Sequence, residues 1–143
     1  MSTRSNICFE TKAGPTSVIY CHSDGYPSYT GRILLECYNT ARLAKKLVSL
    51  GDASYIDKKL VPKKGKEHSF DGERQEEVCL FYHRDRQEPW NDVKPRRYSF
   101  WRSASMACDN DYTYVFKESE GKWYFRKCRE PLCLLTEDDC KED

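Results

Sequence analysis

Val18-Ile19-Tyr20-Cys21-His22-Ser23-Asp24-Gly25-Tyr26-Pro27 is the stretch on which the reading of this chain turns. The apolar run Val18 to Cys21 reads as a buried strand, and Ser23 to Pro27 is turn chemistry that ends it. The close of this strand has a counterpart. Phe81-Tyr82-His83-Arg84-Asp85, after the apolar run Val78 to Tyr82, again sets an aromatic two places before a histidine and an aspartate two places after it. Side chains alternate faces along a strand, so His22 is expected to share a face with Asp24, and His83 with Asp85. Two such strand ends, if they converge, make one polar site.

Upstream, Ser5 to Thr11 alternates weakly and reads as a strand, joined to Thr16–His22 through the turn Ala13-Gly14-Pro15 as a hairpin. Downstream, Ser28 or Thr30 is placed to cap a helix carrying Ile33, Leu34, Leu35 and Tyr38. Asn39 or Thr40 is placed to cap a second helix. Its apolar stripe is Leu43, Leu47 and Leu50, widened by Ala44 and Val48 and opposed by Arg42, Lys45 and Lys46. Gly51 suits the left-handed stop of that helix.

Tyr55 to Gly72 is polar, holds Lys58, Lys59, Lys63, Lys64 and Lys66, and reads as an exposed connection. Glu77 to His83 is predicted as the third strand, Asp85 to Arg97 as a charged, proline-bearing loop, and Tyr98 to Trp101 as a short strand. Tyr112 to Phe116 and Lys122 to Phe125 flank Ser119-Glu120-Gly121 as a hairpin, with Tyr112, Tyr114 and Phe116 on one face. Glu137 to Asp143 reads as a loose acidic tail. No linker divides the chain, so residues 1–143 are expected to form one α+β domain: a mostly antiparallel sheet of five to six strands with two consecutive helices on one face.

The 143 residues carry 24 basic and 23 acidic side chains, for a formal net charge of +1, so recognition of an anion must be local. No apolar run approaches a membrane span, and the N-terminus lacks a secretion signal, which points to the cytoplasm and to no membrane partner. Of the 8 cysteines, several lie inside apolar runs and read as reduced core residues. No two are separated by two residues, and Cys128, Cys133 and Cys140 form only a loose cluster for a structural zinc.

Three places could carry chemistry. The turn from His22 to Gly31, where Gly25 and Gly31 allow close approach and which feeds a helix with Arg32 in its first turn, has the makings of a phosphate or carboxylate cradle. Its alternative is an ordinary strand-to-helix connection. His22, Asp24, His83 and Asp85 could ligate a divalent metal that activates water, or act as His–Asp bases; alternatively each aspartate merely orients its histidine. Lys94-Pro95-Arg96-Arg97-Tyr98-Ser99-Phe100-Trp101-Arg102 mixes cations with aromatics and has no acid, which suits a nucleotide or a single strand. The plain alternative is an edge strand with solvated arginines. His68 is assigned no role.

Thr3-Arg4-Ser5-Asn6-Ile7, Tyr20-Cys21-His22-Ser23-Asp24-Gly25-Tyr26-Pro27, Leu50-Gly51-Asp52-Ala53-Ser54 and Tyr82-His83-Arg84-Asp85-Arg86 together resemble a family of small uncharacterised proteins of bacteria, prophages and tailed phages. The resemblance covers most of the first ninety or so residues; Ser23 stands where the family often has an aromatic. It implies a phage or mobile-element origin and brings no activity with it. By class analogy, it suggests host interaction, including counter-defence.

The leading expectation is therefore a binding protein without catalysis or cofactor. It would hold a host protein or a phosphate-bearing, nucleotide-like ligand through Asp24, Gly25, Tyr26, Arg32, Arg96, Arg97 and Trp101. The alternative is a metal-dependent hydrolase of nucleic acid or nucleotides using His22, Asp24, His83 and Asp85. A zinc domain built on the late cysteines is third. The aromatic content leaves room for a homo-oligomer.

Overall fold

The computed structural model describes residues 2–142. Its strands are β1 Ser5–Glu10, β2 Thr16–Cys21, β3 Ala53–Tyr55, β4 Leu80–Phe81, β5 Arg96–Tyr98, β6 Tyr112–Lys117, β7 Lys122–Lys127 and β8 Cys133–Leu134. Its helices are α1 Arg32–Cys37, α2 Ala41–Ser49, α3 Tyr82–Arg86, α4 Trp90–Val93 and α5 Trp101–Ala107. No described helix is long and apolar enough to cross a membrane.

The fold is α+β, as expected, but the sheet is mixed and has eight strands, in the order β4-β3-β2-β1-β6-β7-β8, with β5 added to the other half of the β2 edge. The two predicted hairpins are present: β1 with β2, and β6 with β7. Two unpredicted parallel pairings join them to the rest. β1 lies parallel to β6 from Ser5 opposite Tyr112 to Glu10 opposite Lys117, and β2 meets β3 at Cys21 opposite Ala53. A parallel pair needs a long crossover. The chain through α1 and α2 supplies it between β2 and β3. Ser5 to Phe9 are all buried, which is how a strand covered on both faces reads.

Alternation along the strands sorts the core into two layers. Ile7, Phe9, Ile19, Cys21, Tyr114, Phe116 and Trp123 meet Ile33, Leu34, Ala44, Leu47 and Val48 of α1 and α2, so the predicted pair of helices does cover one face. Trp123 donates its ring N–H to the Tyr38 carbonyl at 2.9 Å and packs edge-on against Phe116. Cys8, Val18 and Val115 point the other way and are covered by Ala104 and Cys108. That second layer rests on α5, which takes up Trp101, expected instead at the end of a strand.

Helix α1 begins behind a π-helical turn, Pro27–Gly31, without a side-chain cap; Thr30 donates to the Asp24 carbonyl at 2.7 Å instead. Thr40 caps α2 as expected, accepting from the Leu43 N–H. The predicted third strand, Glu77 to His83, shrinks to Leu80–Phe81 because Asp85 Oδ2 accepts the Phe81 N–H at 2.8 Å and turns the chain into α3. The acidic tail is not loose as far as Cys140: a 3-10 turn, Asp138–Cys140, buries that cysteine, and Arg32 donates to its carbonyl at 2.7 Å. Asp143, the last residue of that tail, lies outside the described residues.

Gly51 has a φ of +85° after α2, and a Cβ there would stand 2.5 Å from the Val93 carbonyl oxygen. Both conformation and space demand glycine. Gly51→Ala is expected to destabilise the fold by at least about 1–3 kcal/mol, read by denaturant unfolding.

Candidate functional site

β5 divides the predicted basic-aromatic segment between two faces. Consecutive residues on a strand point oppositely. Arg96 accordingly lines a cleft of about 350 Å³ on the α5 side, and Arg97 lines one of about 450 Å³ on the α2 side.

The Arg97 cleft draws on four parts of the chain. The β1–β2 hairpin supplies Phe9 and Ser17, α2 supplies Lys45 and Val48, α4 supplies Trp90, and the approach to β5 supplies Lys94 and Arg97. Lys45, Lys94, Arg97 and Trp90 are exposed, and the lining holds no carboxylate. The apolar stripe of α2 must face the core, which fixes Lys45 on its flank. Trp90 is held from two sides. His83 meets its ring edge-on at 5.2 Å, and Gly51 passes so close that a Cβ there would stand 3.2 Å from the indole. Such a cleft offers positive charge beside an aromatic plate.

The Arg96 cleft is self-compensated. Arg96 Nη2 donates to Asp52 Oδ1 at 3.2 Å, and the same oxygen accepts the Tyr20 N–H at 2.8 Å. Asn110 donates to Asn6 Oδ1 at 2.8 Å along its wall. Burial pushes the Asp52 carboxyl above its ordinary pKa, although Arg96 and the Tyr20 N–H oppose the shift. A third cavity, of about 560 Å³, lies in the polar connection. Its Lys59, Lys63, Lys66 and Arg74 are matched by Glu67, Glu73, Glu76 and Glu77.

The remaining sequence candidates are placed elsewhere. His22 follows β2 and its Nδ1 hydrogen-bonds Tyr20 Oη at 2.7 Å. His83 and Asp85 sit on α3 rather than at a strand end, so two-residue spacing does not put them on one face. His83 Nδ1 bonds the Glu88 carbonyl at 2.8 Å, and since a carbonyl only accepts, that nitrogen carries the proton. Buried Asp85 binds Arg84 at 2.9 Å and lies 3.7 Å from His68, which thus gains a structural place. Asp24 is exposed with a φ of +55°. Around it the turn is consumed by the fold: the Gly25 N–H donates to the Thr3 carbonyl, Tyr114 Oη donates to the Gly25 carbonyl, and Tyr26 Oη donates to Asp24. Arg32 is spent on the tail, and Trp101 lies 5.3 Å from the Arg126 guanidinium.

The two His-x-Asp strings do not assemble into one ligand set. Among the described residues no three His, Cys, Asp or Glu side chains stand together as a metal-ligand group. Cys128 and Cys133 are exposed, whereas Cys140 is buried with its thiol pushed up to about 11 by burial. Lys45, Trp90 and Asp52 escaped the sequence reading. A lysine on an amphipathic helix looks like a solvated face, and Asp52 carries no local signal beyond following Gly51.

Compared with known families, curated proteins and solved structures, the chain matches no family model, no curated protein and no solved structure. The fold and the clefts define it as an α+β protein with a mixed sheet and one uncompensated basic-aromatic cleft.

The raised Asp52 pKa means that the folded protein keeps this proton to higher pH than the unfolded chain. Its contribution to stability is therefore fullest at acid pH and declines as pH rises from about 4 through the folded value. Asp52→Asn should remove that slope from a plot of Tm against pH while keeping an acceptor for Tyr20.

Proposed function

We propose that this chain binds a phosphate-bearing, nucleotide-like ligand in the cleft between α2 and β5 and performs no catalysis on it. The observation that carries this reading is the meeting of Lys45 from α2 with Lys94 and Arg97 from the β5 segment, beside Trp90 with no acid in the lining. None of the three cations forms a salt bridge among the described residues. Elsewhere on this nearly neutral chain, several arginines are engaged: Arg84, Arg86 and Arg96 pair with carboxylates, and Arg126 packs on Trp101.

Arginine meets a phosphate with a planar fork, lysine adds a mobile point charge, and an exposed indole can stack a base. A cleft of about 450 Å³ is within the range of small-ligand sites. The resemblance to small phage and prophage proteins agrees with sequestering such a ligand in a host cytoplasm, where a bound nucleotide is withdrawn from its host receptor. Catalysis is left out of the reading because none of the four residues that suggested it lines this cleft, and His83 reaches it only through its edge-on contact with Trp90. The metal-dependent hydrolase has no comparable constellation in its favour.

Titration calorimetry with a panel of mononucleotides, dinucleotides and short single strands tests the proposal. Arg97→Ala and Lys45→Ala should each weaken binding about tenfold, a charged hydrogen bond contributing about 1.5 kcal/mol or more. Trp90→Ala should cost about 1–3 kcal/mol of affinity through lost stacking. Arg102→Ala, on α5 across the sheet, should leave affinity unchanged. Absence of binding across the panel, or binding indifferent to the Arg97 and Trp90 changes, refutes the reading. A host protein captured through the same residues instead would move the assignment to a protein partner.

A further inference from the structure

We infer that Cys8 and Cys108 form a redox modification site, a buried dithiol that hydrogen peroxide converts into a disulfide joining β1 to the end of α5. The two residues are 100 apart in sequence, yet their Sγ atoms lie 4.0 Å from each other. Both thiols are free and fully buried. A disulfide needs an S–S separation of about 2 Å, so the sulfurs must close by about 2 Å, on the scale of small side-chain and backbone adjustments.

The setting differs from that of an inert core thiol. Arg126 crosses from β7 to donate from Nη2 to the Cys108 carbonyl at 2.8 Å, and its buried Nε has no hydrogen-bond partner among the described residues. A fixed guanidinium thus stands beside the pair. The contact with Cys8 and the Arg126 charge draw the Cys108 thiol below its ordinary value, while burial pushes Cys8 well above its own. Cys21, buried in the opposite layer, has no such partner, and its thiol is pushed up to about 12 by burial.

Access is short. The Arg96 cleft is walled by Val18, the register partner of Cys8, and by Ala107, the residue before Cys108. Peroxide is therefore offered a cleft whose walls include the immediate neighbours of both cysteines. The Cys108 thiolate attacks one peroxide oxygen. The O–O bond breaks, Cys108 becomes a sulfenic acid, and the departing hydroxide takes a proton to leave as water. The Cys8 sulfur then attacks the sulfenic sulfur, the S–OH bond breaks, and the released hydroxide takes the Cys8 proton as a second water. Two thiols and one peroxide yield one disulfide and two waters; the thiols are oxidised by two electrons and the peroxide is reduced. An added dithiol reverses the change by exchange. In a reducing compartment such a bond is a transient, sensing modification rather than a permanent staple.

The test uses the full chain, exposed to hydrogen peroxide, alkylated under denaturing conditions and digested without reductant. A peptide linking Cys8 to Cys108, with alkylatable thiols falling by two of the eight and restored by dithiothreitol, is the expected result. The double change Cys128→Ser with Cys133→Ser should give the same linked peptide, which excludes exchange through the exposed thiols. If Cys8 and Cys108 stay alkylatable while the exposed cysteines oxidise, or if either crosslinks to another cysteine instead, the proposal falls. This readout needs no change at the buried pair, so a folding defect cannot imitate either outcome.

Discussion

One residue, Asp52, uses its backbone and its carboxylate to tie its own segment to four other parts of the fold. Its N–H donates to the Val93 carbonyl at 2.8 Å, its own carbonyl accepts the Tyr82 N–H at 3.1 Å, and its carboxylate binds the Tyr20 N–H and Arg96. β2 shares its edge between two short strands, β5 alongside Thr16 to Val18 and β3 at Cys21. Tyr20 lies in the gap, where no strand can satisfy its donor. A buried, unpaired N–H is costly. The carboxylate of Asp52 removes that cost and, through Arg96, pins β5 to the same point.

The placement of function follows from that pin. β5 is only three residues long, Arg96–Tyr98, and its pairing with β2 sets the direction of each side chain. With Arg96 drawn to Asp52 on the α5 side, Arg97 must emerge on the α2 side, where Lys45 and Trp90 already stand. The same Asp52 and Gly51 backbone holds α4, and with it Trp90, against the end of α2. One cation is thus neutralised for structure, and its neighbour in sequence is left free for a ligand. The α5 layer has a separate economy. It is a small core of Cys8, Val18, Val115, Ala104 and Cys108, in which two sulfurs and a buried arginine replace larger hydrocarbon.

Much of the local structure was legible in the residues. The hairpins at Ala13-Gly14-Pro15 and Ser119-Glu120-Gly121, the Thr40 cap and the Gly51 stop are local events, decided by turn chemistry and helix periodicity. The basic-aromatic character of Lys94 to Arg102 was equally visible. The third strand was not. Val78 to Tyr82 has strand composition, but a hydrogen bond from the Phe81 N–H to Asp85 converts its end into helix α3. That outcome depends on Arg84 and on His68 beside the same carboxylate, and His68 lies outside any short window.

By itself the sequence determined the hairpins, the amphipathic helix α2, the α+β class and the presence of cations and aromatics without acids near β5. Those properties come from interactions a few residues apart. Only the tertiary structure decided the parallel β1–β6 pairing, the opposed directions of Arg96 and Arg97, the convergence of Lys45 and Trp90 on one cleft, and the approach of Cys8 to Cys108. Each of these depends on pairings between segments far apart in the chain. Their meeting is set by how the strands stack and by which buried donors must find a partner, and neither is written in local spacing.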